Sequence, residues 1–485
     1  MYTIDYNNPV NVHFIGIGGI SMSGLAEILL DRGFKVSGSD RAPSELTKVL
    51  EDKGVTVYYG QRADNIKDDT ELVVYTAAIR EDNEELMEVK RRNLPMLTRA
   101  ELLGQIMKNY KVAAAVSGTH GKTTTTSMVT DILMKAGLDP TVSVGGMLKE
   151  IGGNIRIGAS EYFITEACEY TNSFLSFNPT AGIILNIEED HLDFFKDIND
   201  IRSSFRKFAQ LIPEEGVLII NSDIDNYTEI TDGLKCKVIT VSINGAPDGI
   251  DGDSKPGRIL PDYSAADIEY DDKGCAGFTV VRGGERRTAG DNGDLSDDHL
   301  RIRLLVPGEH NIGNALAAIA LAEHLKIEPE IIEGAFLDFK GTDRRFQYKG
   351  KLGDVTIIDD YAHHPTEIRA TLNAARNYPH ADIVCVFQPH TYTRTKAFFN
   401  EFVDALSLAD MVVLAPIYAA REKDDLGMSS DLICRELRNR GCNAYSFSTF
   451  DKIEEFLTEN CMSGDLLITM GAGDIVKVGE DLLEE

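Results

Sequence analysis

The chain has 485 residues, of which 43% are hydrophobic and 26% charged, and its formal net charge is -29 at pH 7. This length is too great for one hydrophobic core and predicts about three domains of roughly 100 to 200 residues each. The negative charge argues against nucleic acid or anionic lipid as a partner, because a polyanion would be repelled. No apolar run reaches the roughly 18 to 20 residues that span a bilayer, and no signal-like segment opens the chain, so we expect a cytoplasmic protein.

Three apolar runs, at residues 10–15, 112–116 and 355–358, each lead through a glycine or charged turn into a helical pattern. Repeated alternation of strand and helix predicts an α/β fold with mainly parallel sheets, in which ligands bind at the carboxyl ends of strands. Boundaries near residues 108–111 and 339–342 predict domains at residues 1–108, 109–341 and 342–485. Residues 244–298 are rich in Gly and Asp and predict surface loops around a hairpin at GFTVV.

The segment VAAAVSGTHGKTTTT predicts a strand, a glycine turn and the start of a helix. Gly118 and Gly121 would let phosphate approach the backbone, Lys122 would reach the β- and γ-phosphates, and Thr123 would offer its hydroxyl to Mg²⁺. Val116 occupies the first glycine position of the strict P-loop pattern, so the loop is a shortened variant. The alternative is a capped helix with an exposed lysine, but the preceding strand favours nucleotide binding.

Two further polar groups predict a metal and transfer site. Glu166 and His191 follow strand-like runs and could share a phosphate-bound Mg²⁺ with Thr123. Because a single Glu or His at a strand end is usually a capping or surface group, only their joint position supports this site. Arg344 and Arg345 adjoin a glycine turn and suit contact with phosphoryl oxygens, although paired surface arginines are also common.

Near the N-terminus, HFIGIGGISMSG resembles a dinucleotide-binding loop. Gly16 and Gly18 are in place, Ser21 occupies the third glycine position, and Asp40 follows about twenty residues later. A nicotinamide cofactor and a UDP-sugar would use the same diphosphate cradle. A glycine turn that only packs helix against strand is the structural alternative.

Polar side chains also end two predicted strands of the third domain. Asp360, Tyr361 and His363 follow one strand, and His390 and Arg394 follow the run IVCVF. Two such clusters at neighbouring strand ends predict a small-ligand pocket. Each histidine alone is equally well explained as a helix cap or a packed side chain.

Together these motifs resemble the Mur ligase family over nearly the whole chain. The matching segments, in chain order, are HFIGIGGISMSGLAE, SGTHGKTTTT, EACEYTNSFL, NIEEDHLD, GEHNIGNALAA, GTDRRFQYKG, DDYAHHPTE, FQPHTYTRT and GAGD. The resemblance implies an N-terminal Rossmann-like domain that binds UDP-N-acetylmuramate, a central P-loop-type ATPase sheet, and a C-terminal Rossmann-like domain that binds the amino acid and closes over ATP. DDYAHHPTE and FQPHTYTRT resemble the alanine-adding branch of the family.

The activity that the resemblance implies is ATP-dependent ligation of L-alanine to the carboxylate of UDP-N-acetylmuramate, through an acyl phosphate, in peptidoglycan synthesis. The cofactors would be ATP and Mg²⁺, and the protein would be a monomer or homodimer with no membrane or nucleic-acid partner. Two departures matter. Ser21 replaces a glycine common in the family, which would alter the approach of the diphosphate. Thr391 stands where many members have a basic residue, so the alanine carboxylate would rely on Arg394.

The resemblance also implies residue roles. Catalytic residues would be Lys122, Arg344, Arg345 and His363. The ATP-binding set would be Gly118, Thr119, His120, Gly121, Lys122, Thr123, Thr124, His310, Asn311, Asn314 and Asp360. The UDP-sugar set would be Gly16, Gly18, Ser23, Asp40 and Thr76; the amino-acid set Tyr361, His363, His390 and Arg394; and the metal set Thr123, Glu166 and His191.

Three other functions remain open from the sequence. A ligase of the same fold could attach a recovered tripeptide to the muramyl carboxylate, and it would need a roomier amino-ligand pocket. A dinucleotide-dependent oxidoreductase would use the N-terminal loop, but it leaves the Gly-Lys-Thr loop and the two adjacent arginines unexplained. A non-enzymatic ATP-binding regulator would release no phosphate when an amine is added.

Overall fold

The computed structural model describes residues 2–76, 79–148, 151–244, 260–283, 300–420, 422–423 and 426–484. These residues form three sheets that follow one another along the chain, each flanked by helices. This arrangement confirms the predicted three-domain α/β fold with mainly parallel strands. Most of the Gly- and Asp-rich stretch, at residues 245–259 and 284–299, lies outside the described residues.

The first domain contains one fully parallel sheet. Its strands are β1 (Asn11–Ile15), β2 (Lys35–Asp40), β3 (Thr56–Tyr59), β4 (Leu72–Tyr75) and β5 (Met96–Thr98), and its helices are α1 (Ile20–Asp31), α2 (Glu45–Asp52), α3 (Glu84–Arg92) and α4 (Arg99–Met107). The strand order is β3-β2-β1-β4-β5. The chain first adds β2 and β3 on one side of β1, and then crosses over to add β4 and β5 on the other side. Since the strand order reverses between β1 and β4, a ligand crevice is expected between the carboxyl ends of these two strands.

The described part of the second domain is built on a mixed sheet of ten strands. Its strands are β6 (Val112–Ser117), β7 (Thr141–Leu148), β8 (Gly153–Arg156), β9 (Tyr162–Ala167), β10 (Ala181–Ile184), β11 (Val217–Asn221), β12 (Lys237–Ser242), β13 (Tyr263–Tyr270), β14 (Cys275–Arg282) and β15 (Arg301–Pro307). Its helices are α5 (Lys122–Lys135), α6 (Ile198–Ala209), α7 (Thr228–Thr231), α8 (His310–His324) and α9 (Pro329–Asp338).

The middle of this second sheet is parallel and its two ends are antiparallel. The strand order is β15-β14-β13-β12-β11-β10-β6-β9-β7-β8. The segment GFTVV lies in β14, which pairs with β13 in antiparallel fashion and confirms the predicted hairpin. The central strand β6 is buried from Ala113 to Ser117, as expected for a strand covered on both faces.

The third domain has six strands in the order β16-β17-β21-β18-β19-β20, where the strands are β16 (Gln347–Leu352), β17 (Val355–Asp360), β18 (Ile383–Phe387), β19 (Met411–Leu414), β20 (Asn443–Ser446) and β21 (Leu466–Met470). Its helices are α10 (Pro365–Ala375), α11 (Tyr392–Ala397), α12 (Phe399–Leu406), α13 (Ser430–Asn439), α14 (Phe450–Asn460) and α15 (Val476–Glu484). The edge strand β16 is antiparallel to β17 and was not predicted, because its half-exposed sequence QYKGKL lacks an apolar run.

Buried apolar side chains join the first two domains and leave the third with its own core. One cluster runs from Phe14 in β1 through Tyr110 to Phe163 in β9 and Phe208 in α6. The opposite face of the second sheet packs against α5, α8 and α9. The third sheet carries a separate cluster on each face. Among the described helices, none combines the length and apolar character needed to cross a bilayer.

Candidate active site

The phosphate loop lies between β6 and α5, where Gly118 has φ +143° and Gly121 has φ +82°. A Cβ on Gly121 would lie 2.6 Å from Oδ1 of Asn314, so the turn needs glycine for space as well as for conformation. The Lys122 ammonium donates to the Thr119 carbonyl at 3.0 Å and to Oε2 of Glu169 at 3.1 Å. Burial lowers the pKa of Lys122, but the adjacent Glu169 carboxylate outweighs burial and the pKa lies above its ordinary value. Lys122 is therefore a fixed cation at the loop.

A cavity of about 500 Å³ opens between this loop and the third sheet. It brings together side chains that the sequence places more than 200 residues apart. Many of the residues predicted to be catalytic, or to bind ATP, metal or the amino acid, line this cavity. They are Thr119, His120, Gly121, Lys122, Thr123, Glu166, His191, Arg344, Arg345, Tyr361 and His363. A phosphoryl group in this space would lie between the two domains.

The predicted metal ligands Thr123, Glu166 and His191 all line this cavity. Oε1 of Glu166 accepts a hydrogen bond from the Gly145 backbone at 2.9 Å, which fixes the carboxylate. Burial lowers the pKa of His191, although Asp190 opposes the shift, so the ring is neutral and keeps a nitrogen lone pair. A hydroxyl, a carboxylate and a neutral imidazole fit a magnesium ion that takes its other ligands from phosphate and water.

The two adjacent arginines are held differently. Arg344 donates from Nε to Asp359 at 2.9 Å and from Nη1 and Nη2 to the carbonyls of Gly473 and Gly471 at 3.0 and 2.7 Å. Arg345 has a looser partner, with Nη1 3.7 Å from Oε1 of Glu367. Arg344 is thus bound within its own domain, and Arg345 is the freer of the two to meet a phosphoryl oxygen.

A second cavity of about 240 Å³ adjoins the loop and holds most of the remaining predicted ATP-binding residues: Thr124, His310, Asn311, Asn314 and Asp360. Gly118 lines neither of these two cavities. Its carbonyl accepts a hydrogen bond from the Lys122 ammonium. Burial raises the pKa of Asp360 to about 6, while the backbone of Phe346 and Ala362 donates to this carboxyl at 3.0 and 2.8 Å.

His120 links the phosphate loop to two carboxylates that the sequence did not suggest. Its Nδ1 lies 3.1 Å from Oε1 of Glu367 in α10, and its Nε2 lies 3.5 Å from Oε2 of Glu188 after β10. Burial lowers the pKa of His120, but the two carboxylates outweigh burial and raise it to about 9. Both residues fall within segments of the family resemblance, Glu188 in NIEEDHLD and Glu367 in DDYAHHPTE, but neither was assigned a role from the sequence.

The predicted amino-acid residues divide between two cavities. Tyr361 and His363 line the 500 Å³ cavity, whereas His390 and Arg394 line a third cavity of about 990 Å³. The rings of His363 and His390 are 5.8 Å apart between centroids, so the two spaces adjoin. Arg394 donates from Nη2 to Oδ1 of Asp190 at 2.9 Å, which joins the third domain to the second.

The predicted UDP-sugar residues lie mainly at the carboxyl ends of β1, β2 and β4. The Gly18 backbone donates to Oδ2 of Asp40 at 2.8 Å, and a Cβ on Gly16 would lie 2.8 Å from Cγ2 of Thr76. Of these residues, Thr76 also lines the 990 Å³ cavity. Ser23 is buried one turn inside α1, where its hydroxyl donates to the Ile20 carbonyl.

Sequence comparison finds three family models in chain order. The Mur ligase family catalytic domain matches residues 11–111, the Mur ligase middle domain matches residues 116–322, and the Mur ligase glutamate ligase domain matches residues 344–473. A protein named UDP-N-acetylmuramate--L-alanine ligase from Agathobacter rectalis is 58% identical over 485 residues, which is 100% of both chains. A protein of the same name from Lachnospira eligens is 56% identical over 484 residues and 100% of both chains.

Solved structures are similar over the same span. The crystal structure of UDP-N-acetylmuramate-alanine ligase from Thermotoga maritima covers 98% of each chain with 29% identity and a TM-score of 0.75. A murein peptide ligase from Psychrobacter arcticus covers 98% of each chain with 23% identity and a TM-score of 0.66, and this likeness concerns the fold alone.

Proposed function

The chain belongs to the Mur ligase family, and we propose that it joins L-alanine to the carboxylate of UDP-N-acetylmuramate at the expense of ATP, in peptidoglycan synthesis. The observation that carries this function is full-length identity of 58% to a ligase of that name. The geometry supports it, because a phosphate loop faces arginines of another domain across one cavity. We propose a cytoplasmic location, because the reaction consumes ATP and a nucleotide-linked sugar.

The chemistry follows from the poor reactivity of a carboxylate, whose leaving group would be an oxide ion. Transfer of the γ-phosphoryl group from ATP to a carboxylate oxygen gives ADP and an acyl phosphate. The amine of L-alanine then attacks the carbonyl carbon, and inorganic phosphate leaves with one former carboxylate oxygen. The neutral amine gives up one of its two protons as the C–N bond forms, and the product is an amide that keeps the other.

Residue roles follow from the geometry of the 500 Å³ cavity. Lys122 and Arg345 would stabilise negative charge on the transferring phosphoryl group, and Arg344 would hold the loop that carries Arg345. The pKa of His363 is lowered to about 4 by burial, so this ring is neutral and would accept a hydrogen bond from the amine. Thr123, Glu166 and His191 would hold Mg²⁺, which would offset the charge of the ATP phosphates.

Each domain would bind one substrate. Residues 1–108 would bind the sugar nucleotide at Gly16, Gly18, Asp40 and Thr76, with Ser23 acting only through α1. Residues 109–341 would bind ATP, and residues 342–485 would bind alanine and cover the nucleotide. The contacts from His120 to Glu367 and from Asp190 to Arg394 support this closed arrangement. Closure would exclude water from the acyl phosphate.

Oxygen labelling tests the acyl phosphate. UDP-N-acetylmuramate with ¹⁸O in both oxygens of its lactyl carboxylate is incubated with ATP, Mg²⁺ and L-alanine, and the inorganic phosphate is analysed by mass spectrometry. We expect one ¹⁸O atom in each phosphate released, because the carboxylate oxygen bonded to phosphorus leaves with it. Amide formation together with phosphate free of ¹⁸O would refute this mechanism.

A further inference from the structure

Arg99 begins α4 at the carboxyl end of β5, on the edge of the first sheet where the sugar nucleotide is expected. Thr98 pairs in register with Tyr75 of β4, so Arg99 lies beside Thr76. A capping box between Thr98 and Glu101 fixes this end of the helix. Arg99 and Thr76 both line the 990 Å³ cavity.

Among the described residues, the Arg99 guanidinium has no carboxylate partner. The structure shows no hydrogen bond or ion pair from it to any residue it describes. The other Lys and Arg side chains that line the three cavities each have an acidic partner, in the pairs Lys122–Glu169, Arg344–Asp359, Arg345–Glu367, Lys349–Glu480 and Arg394–Asp190. Burial lowers the pKa of Arg99. A half-buried cation of this kind is costly unless an anion binds to it.

The surroundings of Arg99 indicate what the anion belongs to. Hydroxyl and amide groups form much of the polar wall of the cavity, and such groups can form hydrogen bonds with a sugar. They come from residues that include Thr76, Thr98, Asn172, Ser173 and Ser176. The cavity extends to His191, which also lines the phosphoryl-transfer cavity. It therefore spans from Thr76, at the carboxyl end of β4, to the cavity in which the muramyl carboxylate would react.

We propose that Arg99 binds an oxyanion of the sugar nucleotide, either its lactyl carboxylate or its diphosphate, and so determines affinity for this substrate. A planar guanidinium binds both groups through paired hydrogen bonds. The inference rests on the proposed function, because that function supplies the ligand.

The test compares Arg99→Gln with Arg91→Gln, a control on the exposed face of α3 whose guanidinium pairs with Glu88. Steady-state phosphate release gives kcat and KM for UDP-N-acetylmuramate and for ATP, and calorimetry gives the affinity for UDP-N-acetylmuramate and for UDP-N-acetylglucosamine. The second nucleotide has the same diphosphate but lacks the lactyl carboxylate. Thermal unfolding measures whether the variant is folded.

For Arg99→Gln we expect KM for UDP-N-acetylmuramate to rise about 10- to 100-fold, with KM for ATP and the unfolding temperature little changed. Loss of affinity for UDP-N-acetylmuramate alone identifies the carboxylate as the ligand, and loss for both nucleotides identifies the diphosphate. Unchanged affinity for UDP-N-acetylmuramate, or a rise in both KM values with a lower unfolding temperature, overturns the role of Arg99. If the wild-type protein neither binds UDP-N-acetylmuramate nor joins it to L-alanine, the proposed function itself is refuted.

Discussion

His120 is a residue at which the second and third domains meet. Its ring lies between Glu188 and Glu367, and its centroid is 4.9 Å from that of His364. His310 is a further titratable neighbour, but burial lowers its pKa to about 4 and leaves it neutral. The two carboxylates flank the His120 ring, with Arg345 as a second cation beside Glu367, and protonated His120 holds α10 against the phosphate loop.

The pKa of His120 predicts a pH dependence of stability. Its value of about 9 in the folded protein exceeds the ordinary value of 6.5, so protonation stabilises the fold. This contribution is fully present below pH 6.5 and is lost as the pH rises through 9, with a slope of at most about 1.4 kcal/mol per pH unit. Urea unfolding of wild type and His120→Gln from pH 6 to 10 measures it. Parallel pH profiles for the two proteins would contradict the prediction.

Lys122 carries the proposed phosphate contact and gives the most direct residue-level test of catalysis. Lys122→Ala should lower kcat for phosphate release by about 10³-fold or more, because Lys349, the other described lysine of the 500 Å³ cavity, lies in β16 and pairs with Glu480. Lys111→Ala is the control, since that side chain is exposed and pairs with Glu161. A Lys122→Ala variant that remains folded by circular dichroism and retains full activity would exclude the proposed role.

At the scale of elements, helix α5 has a glycine at each end, and the two have different environments. Gly121 at the N-terminus has φ +82°, and an added Cβ would lie 2.6 Å from Oδ1 of Asn314. Gly137 after the C-terminus has φ +71°, and an added Cβ would meet no atom within 4 Å. Alanine at Gly137 would therefore introduce backbone strain alone, whereas alanine at Gly121 would introduce both backbone strain and steric overlap.

Gly137→Ala should lower the free energy of unfolding by about 1 to 2 kcal/mol, which is the cost of a left-handed backbone for a residue with a Cβ. Gly121→Ala should cost more and should also raise KM for ATP, because Asn314 lines the 240 Å³ cavity. Urea unfolding and steady-state kinetics measure both effects. Equal losses of stability in the two variants, with KM for ATP unchanged in both, would show that the overlap at Gly121 is harmless.

The elements that could be predicted from the sequence are those whose signal is local. The strand, glycine turn and helix around Lys122 follow from adjacent residues, and the run IVCVF coincides with β18. Arg99 gave no such signal, because it occupies an ordinary first turn of a helix and meets its cavity only after distant strands assemble. Glu367 fell within DDYAHHPTE, but its contact with His120 depends on how the domains pack. The division of the amino-acid residues between two cavities likewise depends on how the domains pack.

At the scale of the whole molecule, the first two domains share one hydrophobic core and the third does not. Helix α4 packs directly on the second domain, where a Cβ on Gly104 would lie 1.9 Å from the Ser176 carbonyl oxygen. Arg32, directly after α1, donates to the Gly158 carbonyl at 2.8 Å across the same boundary. The clusters of the third domain draw all their members from residues 346–483.

This division predicts how fragments fold. A fragment of residues 342–485 should unfold cooperatively by itself, because its core is complete. A fragment of residues 1–108 should not, because it lacks Tyr110, Phe163 and Phe174 of the shared core. Thermal unfolding followed by circular dichroism checks both. A cooperative transition of the 1–108 fragment at the temperature of the full chain would show that the shared cluster is dispensable.

Substrate-dependent phosphate release tests the proposed function most directly. Purified protein is given ATP, Mg²⁺ and UDP-N-acetylmuramate, and L-alanine or a peptidoglycan tripeptide is added in separate reactions. We expect phosphate release that requires both the sugar nucleotide and L-alanine, with a product heavier than UDP-N-acetylmuramate by one alanyl residue. Release with the tripeptide but none with L-alanine would contradict the proposed substrate and assign the protein to cell-wall recycling.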